Sequence, residues 1–216
     1  MKRSPDGAGF VREARLLLHR GGPPGGGPSL VLGIAIIAGA AFTLAYKTGP
    51  PAGHTGGFDE PTCHACHWDA DPNPPGVSLV VRGFPSHYTP GAVYPLTVHL
   101  AGASLGRGGF QLAIRVASGE RAGHNAGVLE ATDHRASVAR AEVSDVLYAQ
   151  HVLAGTTPLW TDSTQWVLRW TAPPSSTGPI VLHAAANAAN GDDSEFGDRI
   201  YHASFHAEPD GKESRR

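Results

Sequence analysis

From residue 77 onward, apolar side chains recur at every second position in short runs. Phe110, Leu112, Ile114 and Val116 alternate with Gln111, Ala113 and Arg115. That period places one face of a strand in a core and turns the other outward. Trp166, Leu168 and Trp170 share a face in the same way, with Val167 and Arg169 opposite. Further strands are predicted over 77–81, 93–100, 128–132, 137–143, 180–185 and 199–205, and 146–150 is a short apolar stretch ended by His151. Turn-forming clusters at 89–91, 106–109, 172–174 and 190–192 divide the runs. Eight or so short strands with no amphipathic helix between them predict an all-β chain, an antiparallel β-sandwich over 77–207. The last residues, 208–216, are polar and predict a disordered tail.

A different pattern holds near the start. Residues 29–46 read SLVLGIAIIAGAAFTLAY, 18 positions without a charge. A bilayer core of about 30 Å takes roughly 20 helical residues, so this run is at the short end of a spanning helix. It lies between GGPPGGGP and KTGPPAGHTGG, neither of which packs as core. Lys2, Arg3, Arg12, Arg15 and Arg20 outweigh Asp6 and Glu13 before it, and after Lys47 no Lys or Arg follows until Arg82. That bias keeps 1–28 in the cytoplasm and exports the rest. The run is read as a transmembrane helix or uncleaved signal anchor, with a cleaved signal peptide as the alternative. Residues 47–76 then form a linker between membrane and sandwich.

Composition narrows the picture further. Of 216 residues, 41% are apolar and 17% charged, which suits a buried core and not a disordered chain. A net charge of −2 gives no general attraction to nucleic acid. The two cysteines fall in one pentapeptide, Cys63-His64-Ala65-Cys66-His67. C-x-x-C-H is the attachment signature of haem c. Two thiols at this spacing add across the vinyl groups of one porphyrin edge as thioethers, and the following His67 is held against the iron as axial ligand. Attachment occurs outside the cytoplasm, where the predicted topology puts the motif. Other readings of the pair are a local disulfide, a redox dithiol or half a zinc site. No thioredoxin-like pattern surrounds it, and a second cysteine pair for zinc is absent.

The only methionine is Met1, on the cytoplasmic side, which excludes a His/Met haem. The exported histidines besides His67 are His54, His64, His87, His99, His124, His134, His151, His183, His202 and His206. His151 is the first choice for a second metal ligand, because it opens the loop leading to Trp160 and Trp166, and a loop at a sandwich end can reach a haem carried on the linker. His183, on a predicted strand, and His87, in a turn, follow. Trp160, Trp166 and Trp170 are read as core, while Trp68 either packs on the porphyrin or covers the linker. The acidic loop NGDDSEFGD, with Asp192, Asp193, Glu195 and Asp198, reads as a solvated loop capped by Asx turns ahead of a calcium site. No catalytic acid–base set is arranged in the sequence.

Four elements occur in order: Tyr88-Thr89-Pro90-Gly91-Ala92-Val93-Tyr94, Gly108-Gly109-Phe110-Gln111-Leu112, Trp166-Val167-Leu168-Arg169-Trp170-Thr171-Ala172-Pro173 and Asn187-Ala188-Ala189-Asn190-Gly191-Asp192. Together they resemble bacterial Reeler-type domains, also called choice-of-anchor V proteins, over residues 48–206. The resemblance implies an immunoglobulin-like sandwich, an extracytoplasmic site, a C-x-x-C-H before the sandwich and a histidine near position 151. It implies no settled activity. The expectation is a membrane-anchored, extracytoplasmic (periplasmic or cell-surface), monohaem c-type cytochrome-like protein. It would transfer single electrons to a redox partner protein, with Cys63 and Cys66 as attachments and His67 and His151 as iron ligands. A carrier or binding protein is expected ahead of a catalyst. The alternatives are a non-enzymatic adhesion or ligand-binding module with a Cys63–Cys66 disulfide, and a haem-based sensor.

Overall fold

A computed structural model describes residues 48–211. The predicted cytoplasmic segment and membrane span, 1–28 and 29–46, lie outside them. Among the described residues no helix is long and apolar enough to cross a membrane.

Among the described residues, ten strands form two sheets. They are β1 (Val77–Arg82), β2 (His87–Tyr88), β3 (Val93–Gly102), β4 (Arg107–Val116), β5 (Val128–Ala131), β6 (Ala136–Arg140), β7 (Leu147–His151), β8 (Ser163–Thr171), β9 (Ile180–Ala189) and β10 (Arg199–Pro209). One sheet has the order β1-β3-β8-β5 and the other β2-β10-β9-β4-β7-β6. Pairing is antiparallel except between β10 and the short β2, which run parallel. The only helical pieces among the described residues are single 3-10 turns at Cys63–Ala65 and Leu153–Gly155.

The core lies between the sheets, where the alternation places it. Leu96, Val98 and Leu100 of β3 and Trp166, Leu168 and Trp170 of β8 face Phe110, Leu112 and Ile114 of β4, and all nine are buried. Phe110 leans on Trp166 with ring centroids 4.6 Å apart, and Tyr94 stacks on Trp170 at 5.3 Å. A buried indole N–H is costly unless it finds an acceptor. Trp166 Nε1 donates to Gly155 O at 3.0 Å, and Trp170 Nε1 donates to Ala126 O at 2.8 Å.

Several expectations are corrected. Trp160 is not core; it is 54% exposed, since its strand bridge to Ser163 closes a turn ahead of β8. Glu208 and Pro209, expected in the tail, are strand residues that pair with His87 and Tyr88, and residues 212–216 of the expected tail lie outside the described residues. The cluster 106–109 is not a turn throughout: Arg107, Gly108 and Gly109 are strand residues opposite Ala189, Ala188 and Asn187. The strand expected over 137–143 stops at Arg140, and Val143 sits in the exposed turn that follows.

Residues 48–76, with one 3-10 turn, lie as a strap on the outer face of the six-stranded sheet. The polar positions of β4 therefore face outward yet are buried. Gln111 Nε2 donates to Pro51 O at 2.9 Å and Gln111 Oε1 accepts from His54 N at 2.6 Å. Arg115 Nη2 donates to Glu60 Oε2 at 2.6 Å and to Thr55 Oγ1 at 2.9 Å, and Tyr148 Oη donates to Glu60 Oε1 at 2.5 Å. Further along, Asn73 N donates to Ile200 O and Asn73 Oδ1 accepts from His202 N. Both ends of the strap are thus tied to the sheet, on either side of the C-x-x-C-H pentapeptide.

Candidate functional site

The pentapeptide is built on one tight turn. Thr62 caps it, its hydroxyl accepting from His64 N at 3.2 Å. Cys66 N and His67 N both donate to Cys63 O, at 3.2 and 3.1 Å. Residues three apart eclipse on such a turn, which brings Cys66 to the side of Cys63, and His67 follows directly. Burial pushes the Cys63 thiol up to about 12, so it is protonated at neutral pH. Neither cysteine is bridged.

This turn forms one side of a half-open, mainly apolar cleft of about 300 Å³. That volume is at the lower end of the range for small-molecule sites, ~300–1,000 Å³. Cys63, Cys66, His67 and His151 all line it. His151 is the last residue of β7 and is 8% exposed. The β4–β7 ladder ends at the pair Gln111 and Gln150. One step further, the His151 ring stands where the next main-chain pair would be: its Nδ1 lies 3.1 Å from Phe110 N and 3.2 Å from Phe110 O. The main chain of Gly109 comes so close to this ring that a Cβ there would lie 2.9 Å from Cε1 and 3.1 Å from Nδ1.

The other predicted imidazole is held by a carboxylate. His67 Nδ1 lies 2.7 Å from Asp198 Oδ2. Asp198 is 2% exposed, and the same oxygen accepts from Asn187 Nδ2 at 2.8 Å. Asn187 Nδ2 is also 3.2 Å from His67 Nδ1. Two N–H groups converging on one carboxylate oxygen satisfy this arrangement, whereas a bond between two donors would not. Asn187 Oδ1 is buried without a hydrogen-bond partner and its residue lines the cleft. Beside the motif, exposed Trp68 meets Phe196 edge to face at 5.5 Å, and Asp69 Oδ2 accepts from Gly197 N at 3.0 Å. Trp68 thus ties the strap to the 190–198 loop.

Of the remaining candidates, His54 also lines the cleft, while His183 and His87 are elsewhere. His183 is on the outer face of β9 under Gly57 and edge-on to Phe58, at 5.7 Å between centroids. Burial, with Arg115 nearby, lowers its pKa. His87 is exposed on β2 beside Ser86. Neither lines the cleft. In the acidic loop, Asp192 accepts from Ser194 N and Asn190 Oδ1 accepts from Asp192 N, which are Asx turns. Asp198 departs from that loop's pattern by turning inward, and nothing local in the sequence marks it.

The expectation of a metal-binding protein, in the sense of an ion chelated by side chains, is corrected. Among the described residues no group of three or more His, Cys, Asp or Glu side chains is arranged to hold a metal ion. His67 and His151 share the cleft with Cys63 and Cys66, but these side chains are not grouped closely enough to chelate an ion.

No protein-family model matches the sequence, and no curated protein does. Similar solved structures include the human F-spondin Reeler domain, at 23% identity and a TM-score of 0.42 over 65% of this chain and 92% of that one. The Reelin-N domain of F-spondin matches at 20% identity and a TM-score of 0.43, over 68% of this chain and 97% of that one. A cohesin module from a Clostridium perfringens family 33 glycoside hydrolase matches at 12% identity and a TM-score of 0.38, over 62% and 96%. These neighbours are Reeler and cohesin modules.

Proposed function

We propose that this chain is a Reeler-like sandwich carrying one haem, attached through Cys63 and Cys66, for single-electron exchange outside the cytoplasm. The observation that carries the reading is that four residues chosen from the sequence, Cys63, Cys66, His67 and His151, line one mainly apolar cleft. The donor set fits the group. Two thiols and an imidazole share one tight turn, a second imidazole is fixed in the wall, and Gly109 leaves room where a side chain would collide with it. When bound, the haem supplies a one-electron couple. Cys63 and Cys66 would hold it against loss, His67 would ligate its iron, and His151 would supply the second imidazole. The apolar lining keeps water from the buried edge, and the run at 29–46 tethers the module to the membrane.

The test is expression of the full chain in a host competent for cytochrome c maturation. An alkaline pyridine spectrum with the haem c band and an intact mass raised by one covalent haem are expected. A colourless protein whose mass is lower by two protons overturns the proposal, and would make the cleft the pocket of a disulfide-bonded, non-enzymatic binding module.

A further inference from the structure

We infer that Asp198 is the positioning residue of this site: it fixes the His67 ring and sets its donor strength toward the haem. The inference rests on the proposed haem reading. Imidazole carries one proton on two nitrogens when neutral, and the hydrogen bond made by one nitrogen decides which is left as donor. At 2.7 Å a carboxylate oxygen accepts the hydrogen bond of Nδ1–H, which leaves the Nε2 lone pair as the ligating one.

The surroundings make this contact more than incidental. Asp198 is buried, and a buried carboxylate is costly unless it is bonded. Among the described residues no lysine or arginine pairs with it. Its partners are His67, the Asn187 amide at 2.8 Å and Asn190 N at 3.3 Å. The negative charge is therefore only partly met by neutral donors, and the remainder falls on the His67 ring. A ring bonded to a carboxylate donates more electron density than one bonded to a neutral acceptor, which favours the oxidised, more positive iron. The Asn187 amide opposes this by sharing the same oxygen. Asn187 and Asp198 are thus opposing controls on one ligand, and they arise from β9 and from the loop entering β10.

The experiment uses the full chain matured with haem and reads potential and vibrational spectrum. Asp198→Asn is expected to keep covalent haem, raise the midpoint potential and lower the iron–histidine stretching frequency. Asp198→Glu is expected to recover part of both. Asn187→Ala, which removes a donor from the carboxylate and keeps the His67–Asp198 bond, is expected to shift the potential the other way, and serves if Asp198→Asn does not fold. Weakening of a ligand's outer partner typically costs about 10–100-fold in affinity, so exogenous imidazole should displace His67 in Asp198→Asn at a correspondingly lower concentration. A coloured Asp198→Asn or Asn187→Ala protein with the parent's potential and stretching frequency overturns this inference alone. A colourless parent overturns both it and the haem reading.

Discussion

At Gly109 the absence of a side chain decides whether the cleft keeps its second imidazole. The His151 ring is buried and held at Nδ1 by the main chain of Phe110, so it cannot slide away from a new methyl group without giving up that contact. Gly109→Ala is expected to cost about 1–3 kcal/mol, the usual penalty for overpacking a close contact. In the haem-loaded protein it should also weaken any signature of a second imidazole ligand. Thermal denaturation and the low-spin absorption bands check this together. An unchanged melting temperature and spectrum would mean that the ring has room to move. The alternation in β4 was readable from Phe110 to Val116, but the glycines before it read as a turn. Glycine is the residue of turns and equally of places where two groups approach closely, and the group that demands it here is 42 positions away.

At the scale of elements, the strap is the feature that the strand pattern could not reveal. Gln111 and Arg115 sit on the polar side of a regular alternation, and such positions ordinarily face water. Here a segment without regular structure covers them, held by specific polar pairs in place of an apolar stripe. Glu60 is the hub. Burial alone would raise its pKa, but hydrogen bonds from Thr55, Tyr148 and Arg115, with the charge of Arg115, outweigh this and hold it below the ordinary 4.5. A carboxyl depressed in the folded state gives stability that is complete above its unfolded value and is lost as pH falls through the folded one. Docking of the strap should therefore be intact at neutral pH and weaken below about 4.5, ahead of the apolar core. Hydrogen exchange at residues 54–60 measured between pH 3 and 7 tests it; protection that does not change across that range would refute the role of Glu60. Glu60→Gln should weaken docking at neutral pH as well, by roughly 3–5 kcal/mol, because it leaves the deeply buried Arg115 without its counter-charge.

For the whole molecule, the site and the core occupy opposite sides of the six-stranded sheet. The inner faces of β4 and β9 build the core with β3 and β8, while their outer faces and ends carry the strap, His67 and the cleft. The core side was legible in the sequence because it obeys a local period. The cleft was legible only in its parts, since Cys63 to His67 is a contiguous motif and His151 was chosen from its place ahead of the Trp166 strand. Asp198 and Asn187 were not legible, because their bond to His67 spans more than a hundred residues and leaves no local trace. This division has a consequence for stability. Neither cysteine belongs to the apolar core, and the turn that holds them is closed by main-chain bonds and by Thr62, not by sulfur. The double substitution Cys63→Ala and Cys66→Ala should therefore leave the sandwich folded while abolishing covalent haem. Expected are the parent's far-ultraviolet circular dichroism, the buried emission of Trp166 and Trp170, and a single cooperative unfolding transition, with no haem retained after denaturing electrophoresis. Loss of cooperative unfolding in the double variant, compared with the parent chain produced without haem, would show that the sheet depends on the thiols after all. Retained covalent haem would show that attachment is made elsewhere.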